Sequence, residues 1–183
     1  MNASDANTRS TPLNRGWVYY DRPDVRGETV LEFYTRSYPH SSRGIWKERI
    51  ETGAVRLDGK PTTSETILVP GQRLAYHRPP WREPDVPRVF ALLYEDPHLL
   101  VVAKPSGLPV LPGGHHLENT LLALVRKRYG DGPAPVHRLG RGTSGIVLFV
   151  RTDLAKRALS RDLHDRRIRK VYRALATGAD MSD

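Results

Sequence analysis

Residues 89–104 read VFALLYEDPHLLVVAK, in which two runs rich in valine and leucine flank the tripeptide Glu-Asp-Pro. Large and β-branched apolar residues favour strands, and Asp-Pro is typical of a turn. The stretch therefore predicts two strands, residues 89–94 and 99–104, joined by a tight turn. Farther along the chain, the apolar run of residues 146–150 predicts a buried strand.

Two helices and a last strand accompany these strands in the second half of the chain. We predict that Asn119 caps the first helix, which ends at Gly130. The spacing of Leu121, Val125 and Tyr129 places these side chains on one face of that helix.

The other helix is predicted to begin at Thr152 and to turn Ala155, Leu159 and Leu163 towards the core, because these residues recur every four positions. Residues 169–176 predict the last strand, with Tyr172 and Ala174 on one face and Val171 and Arg173 on the other.

The first half of the chain is separated from the second by a proline-rich joint, residues 79–88, which can form neither a helix nor a central strand. Before the joint, Ser41 or Ser42 is predicted to cap a helix that ends at Gly53. Asp-Gly at residues 58–59 predicts a hairpin turn.

These patterns divide the chain into four segments. Residues 1–26 are predicted to be a disordered tail, and residues 27–78 a small module of helices and a β-ribbon. Residues 79–88 are the linker, and residues 89–183 are a second, mixed α and β domain.

Composition excludes several classes of protein. The chain has 183 residues, of which 38% are hydrophobic and 27% charged, as in ordinary globular proteins. Because it has no cysteine, disulfides, thiolate zinc sites and thiol nucleophiles are excluded, which favours a cytoplasmic location. The apolar runs are shorter than the ~20 residues of a membrane span.

Positive charge is concentrated in one part of the sequence. The net charge is +9, and residues 126–173 alone carry 14 Lys or Arg against 4 Asp or Glu. Such a segment attracts a polyphosphate such as a nucleic acid. An acidic membrane, an acidic protein, or merely a solvated helix face would also fit the charge.

Residues 135–145, PVHRLGRGTSG, combine glycines with two arginines. Glycines allow the backbone to approach a phosphate closely, and each guanidinium group can bind two phosphate oxygens at once. The loop lacks the lysine and the spacing of a nucleoside triphosphate loop, and it could equally be a solvent-facing turn. The adjacent histidines at positions 115 and 116 point to different sides, which disfavours a metal site.

Three motifs in this order resemble those of the RluA-type pseudouridine synthase family. They are LLYEDPHLLVVAKPSGLPV at residues 92–110, His-Arg-Leu at 137–139 followed by Thr-Ser-Gly at 143–145, and KVYRA at 170–174. Residues 27–77 resemble, more loosely, the small RNA-binding module shared with ribosomal protein S4. There, Ser42-Arg43, Gly53-Ala54-Val55 and Asp58-Gly59-Lys60 carry the similarity.

The resemblance implies isomerisation of uridine to pseudouridine in ribosomal or transfer RNA, without a cofactor or metal. It implies a mixed α+β catalytic fold built on a bent antiparallel sheet, preceded by an S4-like module. Because the target base must leave its stack, Arg138 would occupy the vacated space and Tyr172 would stack on the flipped uracil. The residues expected to contact RNA are His137, Arg138, Arg141, Thr143, Ser144, Arg169, Lys170, Arg173, Arg43 and Lys60. We expect no membrane partner and, for a complete chain, a monomer.

Two departures from the family pattern bear on activity. The family has an aspartate nucleophile directly after His-Arg-Leu, whereas this sequence has Gly140. The family's catalytic domain also continues beyond the position of Asp183, so we expect a chain truncated at its C-terminus. A relative that binds RNA without chemistry is therefore the alternative, and a basic scaffolding protein is a third possibility.

Overall fold

The computed structural model describes residues 12–175. The chain divides between Asp85 and Val86 into two units, within the predicted proline-rich joint. In chain order the elements are β1 (Trp17–Asp21), α1 (Val30–Ser37), α2 (Arg43–Glu51), β2 (Val55–Leu57), β3 (Lys60–Pro61), β4 (Leu74–Arg78), β5 (Ala91–Glu95), β6 (Leu99–Lys104), α3 (Leu121–Tyr129), β7 (Ala134–Pro135), β8 (Gly145–Val150) and α4 (Asp153–His164).

The first unit contains α1, α2 and a four-stranded antiparallel sheet in the order β1-β4-β2-β3. Ser42 caps α2 by accepting a hydrogen bond from the Ile45 amide, which confirms one of the two predicted caps. Asp58 and Gly59 both have positive φ, as the predicted two-residue hairpin turn requires. The core consists of Val30, Leu31, Phe33, Tyr34, Trp46, Ile50, Val55, Leu68, Leu74 and Tyr76.

Strand β1 corrects the prediction for the beginning of the chain. Residues 17–21 pair with β4 along their whole length, from Trp17 opposite Arg78 to Asp21 opposite Leu74. The residues before β1 are also held, because the buried amide of Asn14 donates a hydrogen bond of 2.7 Å to Glu83. The prediction of a disordered tail over residues 1–26 is therefore wrong for residues 12–26.

The second unit is built on another antiparallel sheet, in the order β5-β6-β8-β7. The predicted strands at residues 89–94, 99–104 and 146–150 are confirmed with small shifts of their ends. The buried core cluster consists of Leu100, Val102, Leu108, Val110, Leu121, Val125, Val147 and Phe149. The mixed α+β class predicted from the sequence is thus confirmed.

Helix α3 begins one residue later than predicted. Thr120, rather than Asn119, is the cap, because the Thr120 hydroxyl accepts a hydrogen bond from the Ala123 amide. The helix ends at Gly130 as predicted, and Leu121 and Val125 lie buried on its inner face.

Helix α4 begins at Asp153, directly after its cap Thr152, but none of its side chains is fully buried. Ala155, Leu159 and Leu163 are only half-buried, so the predicted core face is weaker than expected. None of the helices within residues 12–175 has the length and the apolar run that a membrane span requires.

The predicted last strand is wrong over the residues described. Residues 169–175 form no strand and are exposed; Val171 keeps 77% of its surface accessible. Residue 176 lies outside the described residues. A strand is stabilised by hydrogen bonds to a neighbour, and alternation of side chains cannot supply that neighbour.

Candidate functional site

The pairing of β6 with β8 places two loops at the same end of the second sheet. Lys104, the last residue of β6, lies opposite Gly145, the first residue of β8. The chain therefore leaves β6 and enters β8 side by side. We refer to residues 105–112 as the first loop and to residues 136–144 as the second loop.

Direct hydrogen bonds connect the two loops. The Gly107 amide donates to the carbonyl oxygen of Arg141 at 2.8 Å, and the Ser106 hydroxyl donates to that of Gly142 at 2.6 Å. Gly107 has φ +88°, and a Cβ atom there would lie 3.3 Å from Cδ of Pro87. A glycine is therefore favoured at this point of close approach.

Lys104 adds a buried cation to this junction. Lys104 is only 2% exposed. Its Nζ donates hydrogen bonds to three carbonyl oxygens, those of Pro105 at 2.9 Å, Leu108 at 2.6 Å and Arg141 at 3.2 Å. Burial lowers the pKa of the Lys104 ammonium. The ammonium thus holds the first loop in its curved shape and holds the second loop against it.

Lys104 is not among the site residues predicted from the motifs, although the pattern of β6 contains a signal for it. Leu100, Val102 and Lys104 are spaced two residues apart on β6, and the two apolar members are completely buried. Alternation therefore places Lys104 on the core face, where an unpaired charge is costly. A lysine at such a position predicts a site that supplies acceptors for its ammonium.

His137 is held by the backbone of β8. Its Nε2 accepts a hydrogen bond of 3.2 Å from the Leu148 amide, which requires an unprotonated Nε2. Burial lowers the pKa of His137, and the nearby positive charge of Lys170 lowers it further. The ring is half-buried and fixes the start of the second loop; its predicted contact with RNA stays a prediction.

The remaining polar residues of the second loop face the solvent. The exposed residues of this loop are Arg138, Gly140, Arg141, Gly142, Thr143 and Ser144. A tight turn brings the Thr143 amide within 3.1 Å of the Gly140 carbonyl oxygen. Arg138 therefore precedes this exposed turn and Arg141 lies within it, and the first loop holds the turn through the carbonyl oxygens of Arg141 and Gly142.

Gly140 lies at the position where the resemblance expects an aspartate. Its φ is outside the positive range, and a Cβ atom there would meet only Oγ1 of Thr143, at 3.4 Å. This is close to an ordinary van der Waals contact. The backbone and the space at Gly140 therefore admit a side chain, although the sequence provides none.

The third motif, residues 170–174, interacts with the second loop through Lys170. The charge of Lys170 acts on His137, so the segment after α4 passes near the second loop. Tyr172 is 64% exposed, and Arg169 and Arg173 are exposed as well. The expected stacking role of Tyr172 and the RNA contacts of its neighbours stay predictions.

The two predicted RNA contacts of the first unit lie apart from these loops in the sequence. Arg43 is the first residue of α2, and Lys60 begins β3 after the hairpin turn; both are exposed. Within residues 12–175, no group of three His, Asp or Glu side chains is arranged to hold a metal ion.

Comparison with known proteins links these motifs to one family. The profile described as RNA pseudouridylate synthase matches residues 98–183. An uncharacterised RNA pseudouridine synthase of Synechocystis sp. is 43% identical over 84% of this chain and 53% of its own length. RNA pseudouridine synthase 5 of Arabidopsis thaliana is 38% identical over 91% of this chain and 54% of its own length.

A third relative, ribosomal large subunit pseudouridine synthase D of Xanthomonas campestris, is 34% identical over 79% of this chain and 46% of its own length. The chain thus spans about half the length of the curated relatives that it matches.

Proposed function

We propose that the second unit, in which residues 98–183 match the RNA pseudouridylate synthase profile, isomerises uridine to pseudouridine in ribosomal or transfer RNA. The observation that carries this proposal is the junction of the two loops, which presents Arg138 and Arg141 around an exposed turn. The name of the Xanthomonas relative supports ribosomal RNA as one substrate class.

The proposed roles follow from the chemistry of the reaction. A uridine within structured RNA must leave its stack before its glycosidic bond can be reached, at a cost of a few kcal/mol. Arg138 fills the vacated space and binds an adjacent phosphate, and Arg141 binds a second phosphate through its guanidinium fork. Tyr172 stacks on the extruded base.

The buried groups of the site position these arginines. Lys104 and Gly107 hold the Arg141 backbone from one side, and His137 holds the start of the loop to β8. A loop fixed in this way presents its cations without first having to become ordered. Pre-organisation of this kind lowers the free-energy cost of binding.

The finer assignments are also proposals. We assign the second unit to the RluA-type branch because all three of its motifs occur in order, and residues 27–78 to an S4-like module that contacts RNA through Arg43 and Lys60. A cytoplasmic location and a monomeric state complete the proposal.

Gly140 favours a second candidate function, binding of RNA without chemistry. The resemblance places the nucleophilic carboxylate directly after His-Arg-Leu, and Gly140 supplies none at that position. In this alternative the arginines still bind phosphate, because those contacts do not depend on the missing group.

Tritium release tests the proposal and separates the two candidates. Isomerisation breaks the C–H bond at C5 of uracil, so RNA labelled with tritium at that position loses label to water. We expect release by the full chain from ribosomal or transfer RNA, and loss of that release in Arg138→Ala. RNA binding without release would overturn the proposed activity and support the second candidate.

The variant Gly140→Asp makes this experiment sharper. The structure has room for the new side chain, and Thr143 is close enough to contact it. Release by Gly140→Asp but not by the unsubstituted chain would identify the missing carboxylate as the cause of inactivity. Absence of both RNA binding and release would contradict both candidate functions.

A further inference from the structure

The solvent-facing side of the first sheet carries an aromatic and basic surface that no motif of the sequence points to. Tyr20 on β1 lies opposite Ala75 on β4, and Ala75 lies opposite Arg56 on β2. Residues directly opposite each other in a sheet share a face, so these three side chains form one row across three strands. The core residues Leu74 and Tyr76 alternate with Ala75 and occupy the other face.

Tyr20 is the exposed aromatic member of this row. Its side chain is 63% exposed, and the guanidinium carbon of Arg73 lies 5.4 Å from the centre of its ring. Arg73 immediately precedes β4, and its contact with the Tyr20 ring places its guanidinium on this face. Because β1 is an edge strand, both arginines lie on the β4 side of Tyr20: Arg73 contacts the ring, and Arg56 lies beyond the small side chain of Ala75.

The two arginines are not engaged by carboxylates within residues 12–175. None of the ion pairs in this part of the chain includes Arg56 or Arg73. Asp58 is nearby, but its Oδ1 accepts a hydrogen bond of 2.8 Å from the backbone amide of Arg73. Exposed His77 lies on the same face, because it follows Ala75 by two residues.

We infer that this face, defined by Tyr20, Arg56 and Arg73, binds single-stranded RNA, with one base stacked on the Tyr20 ring and phosphates on the two arginines. An exposed aromatic ring next to arginines suits the π-face of a base and its phosphate together. An acidic protein would use the two charges but would not require the ring. The inference rests on the proposed function, since it assumes an RNA ligand, and it adds a contact outside the resemblance.

Binding of the full chain to a labelled single-stranded RNA of about ten nucleotides tests this inference by fluorescence anisotropy. Tyr20→Leu keeps an apolar residue on the strand and removes the aromatic ring, and it should weaken binding on the order of tenfold. Tyr20→Phe keeps the ring and should bind like the unsubstituted chain. Arg73→Gln should weaken binding. It should also lower the magnitude of the slope of log affinity against log salt by about 0.7, the value for one lost phosphate contact on a single strand.

The matched controls are a charge change elsewhere and a change of ligand. Arg88→Gln removes an exposed arginine outside the first sheet. In this background, Tyr20→Leu should still cause the same loss of affinity for single-stranded RNA. A fully paired duplex of the same length offers no free base, so Tyr20→Leu should change its affinity little. Circular dichroism of each variant verifies that the sheet is retained.

Unchanged single-strand affinity in folded Tyr20→Leu and Arg73→Gln would overturn the inference, and so would equal losses for single strand and duplex. Competition by an acidic peptide that is insensitive to Tyr20→Leu would assign the face to a protein partner. Tritium release by the second unit is measured separately. A chain that shows the Tyr20 effect but releases no tritium would retain this inference and lose only the proposed activity.

Discussion

The two loops beside β6 and β8 differ sharply from residues 169–175, although both regions carry motifs of the same family. In the loops, backbone and side-chain donors reach across from one segment to the other, with the Lys104 ammonium at the centre. Residues 169–175 form no strand and remain exposed. One part of the proposed site is thus held by hydrogen bonds between its segments, while the part that contains Tyr172 is largely accessible to solvent.

The difference shows what a motif requires to become a structure. The loops contain their own donors and acceptors, so their shape follows from contacts among a few neighbouring residues. The segment around Tyr172 has the sequence pattern predicted for a strand, but a strand also requires a neighbouring strand to form hydrogen bonds with its backbone groups. Matching motifs therefore do not imply equally organised structure.

The largest effect that we predict is that of Lys104→Met on the two loops. Methionine fills similar space but cannot donate to the carbonyls of Pro105, Leu108 and Arg141. We expect a loss of about 3 kcal/mol in the free energy of unfolding, because buried acceptors lose a charged donor. Hydrogen exchange at the Gly107 amide should accelerate at the same time.

Lys127→Met is the matched control, since Lys127 is exposed on α3. It should change stability by less than about 0.5 kcal/mol. Equal denaturation midpoints for the two variants would show that Lys104 does not hold the loops.

The next effect concerns RNA affinity at the second loop. Arg138→Ala and Arg141→Ala each remove an exposed cation and should each lower the slope of log affinity against log salt by about one unit. Titrations at several salt concentrations measure that slope. Arg88→Ala should leave it nearly unchanged, and an unaltered slope in both loop variants would remove these arginines from the interface.

A smaller effect is predicted for the pH dependence of stability. Burial and the charge of Lys170 lower the pKa of His137 from its ordinary 6.5, so the folded protein favours the neutral ring. The unfolded chain binds more protons as the pH falls below 6.5. The contribution of His137 to the free energy of unfolding should therefore decrease below this pH and level off below the lowered pKa.

Denaturant unfolding at about pH 7.5 and about pH 5.5 measures this contribution. His137→Asn has no titrating ring and should show a smaller difference between the two conditions. An equal difference in both proteins would show that His137 does not contribute to the pH dependence of stability.

The smallest effect on stability is expected at Tyr172. Its side chain is 64% exposed, so Tyr172→Ala should change the free energy of unfolding by less than about 0.5 kcal/mol. Tyr129→Ala is the control, because Tyr129 packs against the core and should be more costly to remove. A large loss in Tyr172→Ala would show that residues 169–175 are packed and would remove the contrast with the loops.

Much of the fold could be predicted because local chemistry determines it. Ser42 and Thr152 cap their helices, Asp58 and Gly59 form the hairpin turn, and Gly130 ends α3, each for a reason confined to a few residues. The position of the second loop next to a strand also followed from sequence order.

The errors arise where a contact distant in sequence decides the result. Strand β1 exists because β4, more than fifty residues later, provides its partner. Residues 169–175 pair with none of the strands in residues 12–175. The role of Lys104 depends on carbonyls from both loops, including that of Arg141. The pattern of β6 indicates only that Lys104 lies on a buried face. It does not identify the carbonyl oxygens that accept hydrogen bonds from its ammonium.

Photocrosslinking tests most directly whether the two loops bind RNA. The full chain is irradiated with ribosomal or transfer RNA that contains 4-thiouridine, and the attached peptides are identified by mass spectrometry. We predict crosslinks within residues 136–144 that disappear in the combined variant Arg138→Ala, Arg141→Ala. Crosslinks confined to other parts of the chain, unchanged in that variant, would contradict the assignment of the loops as the RNA site.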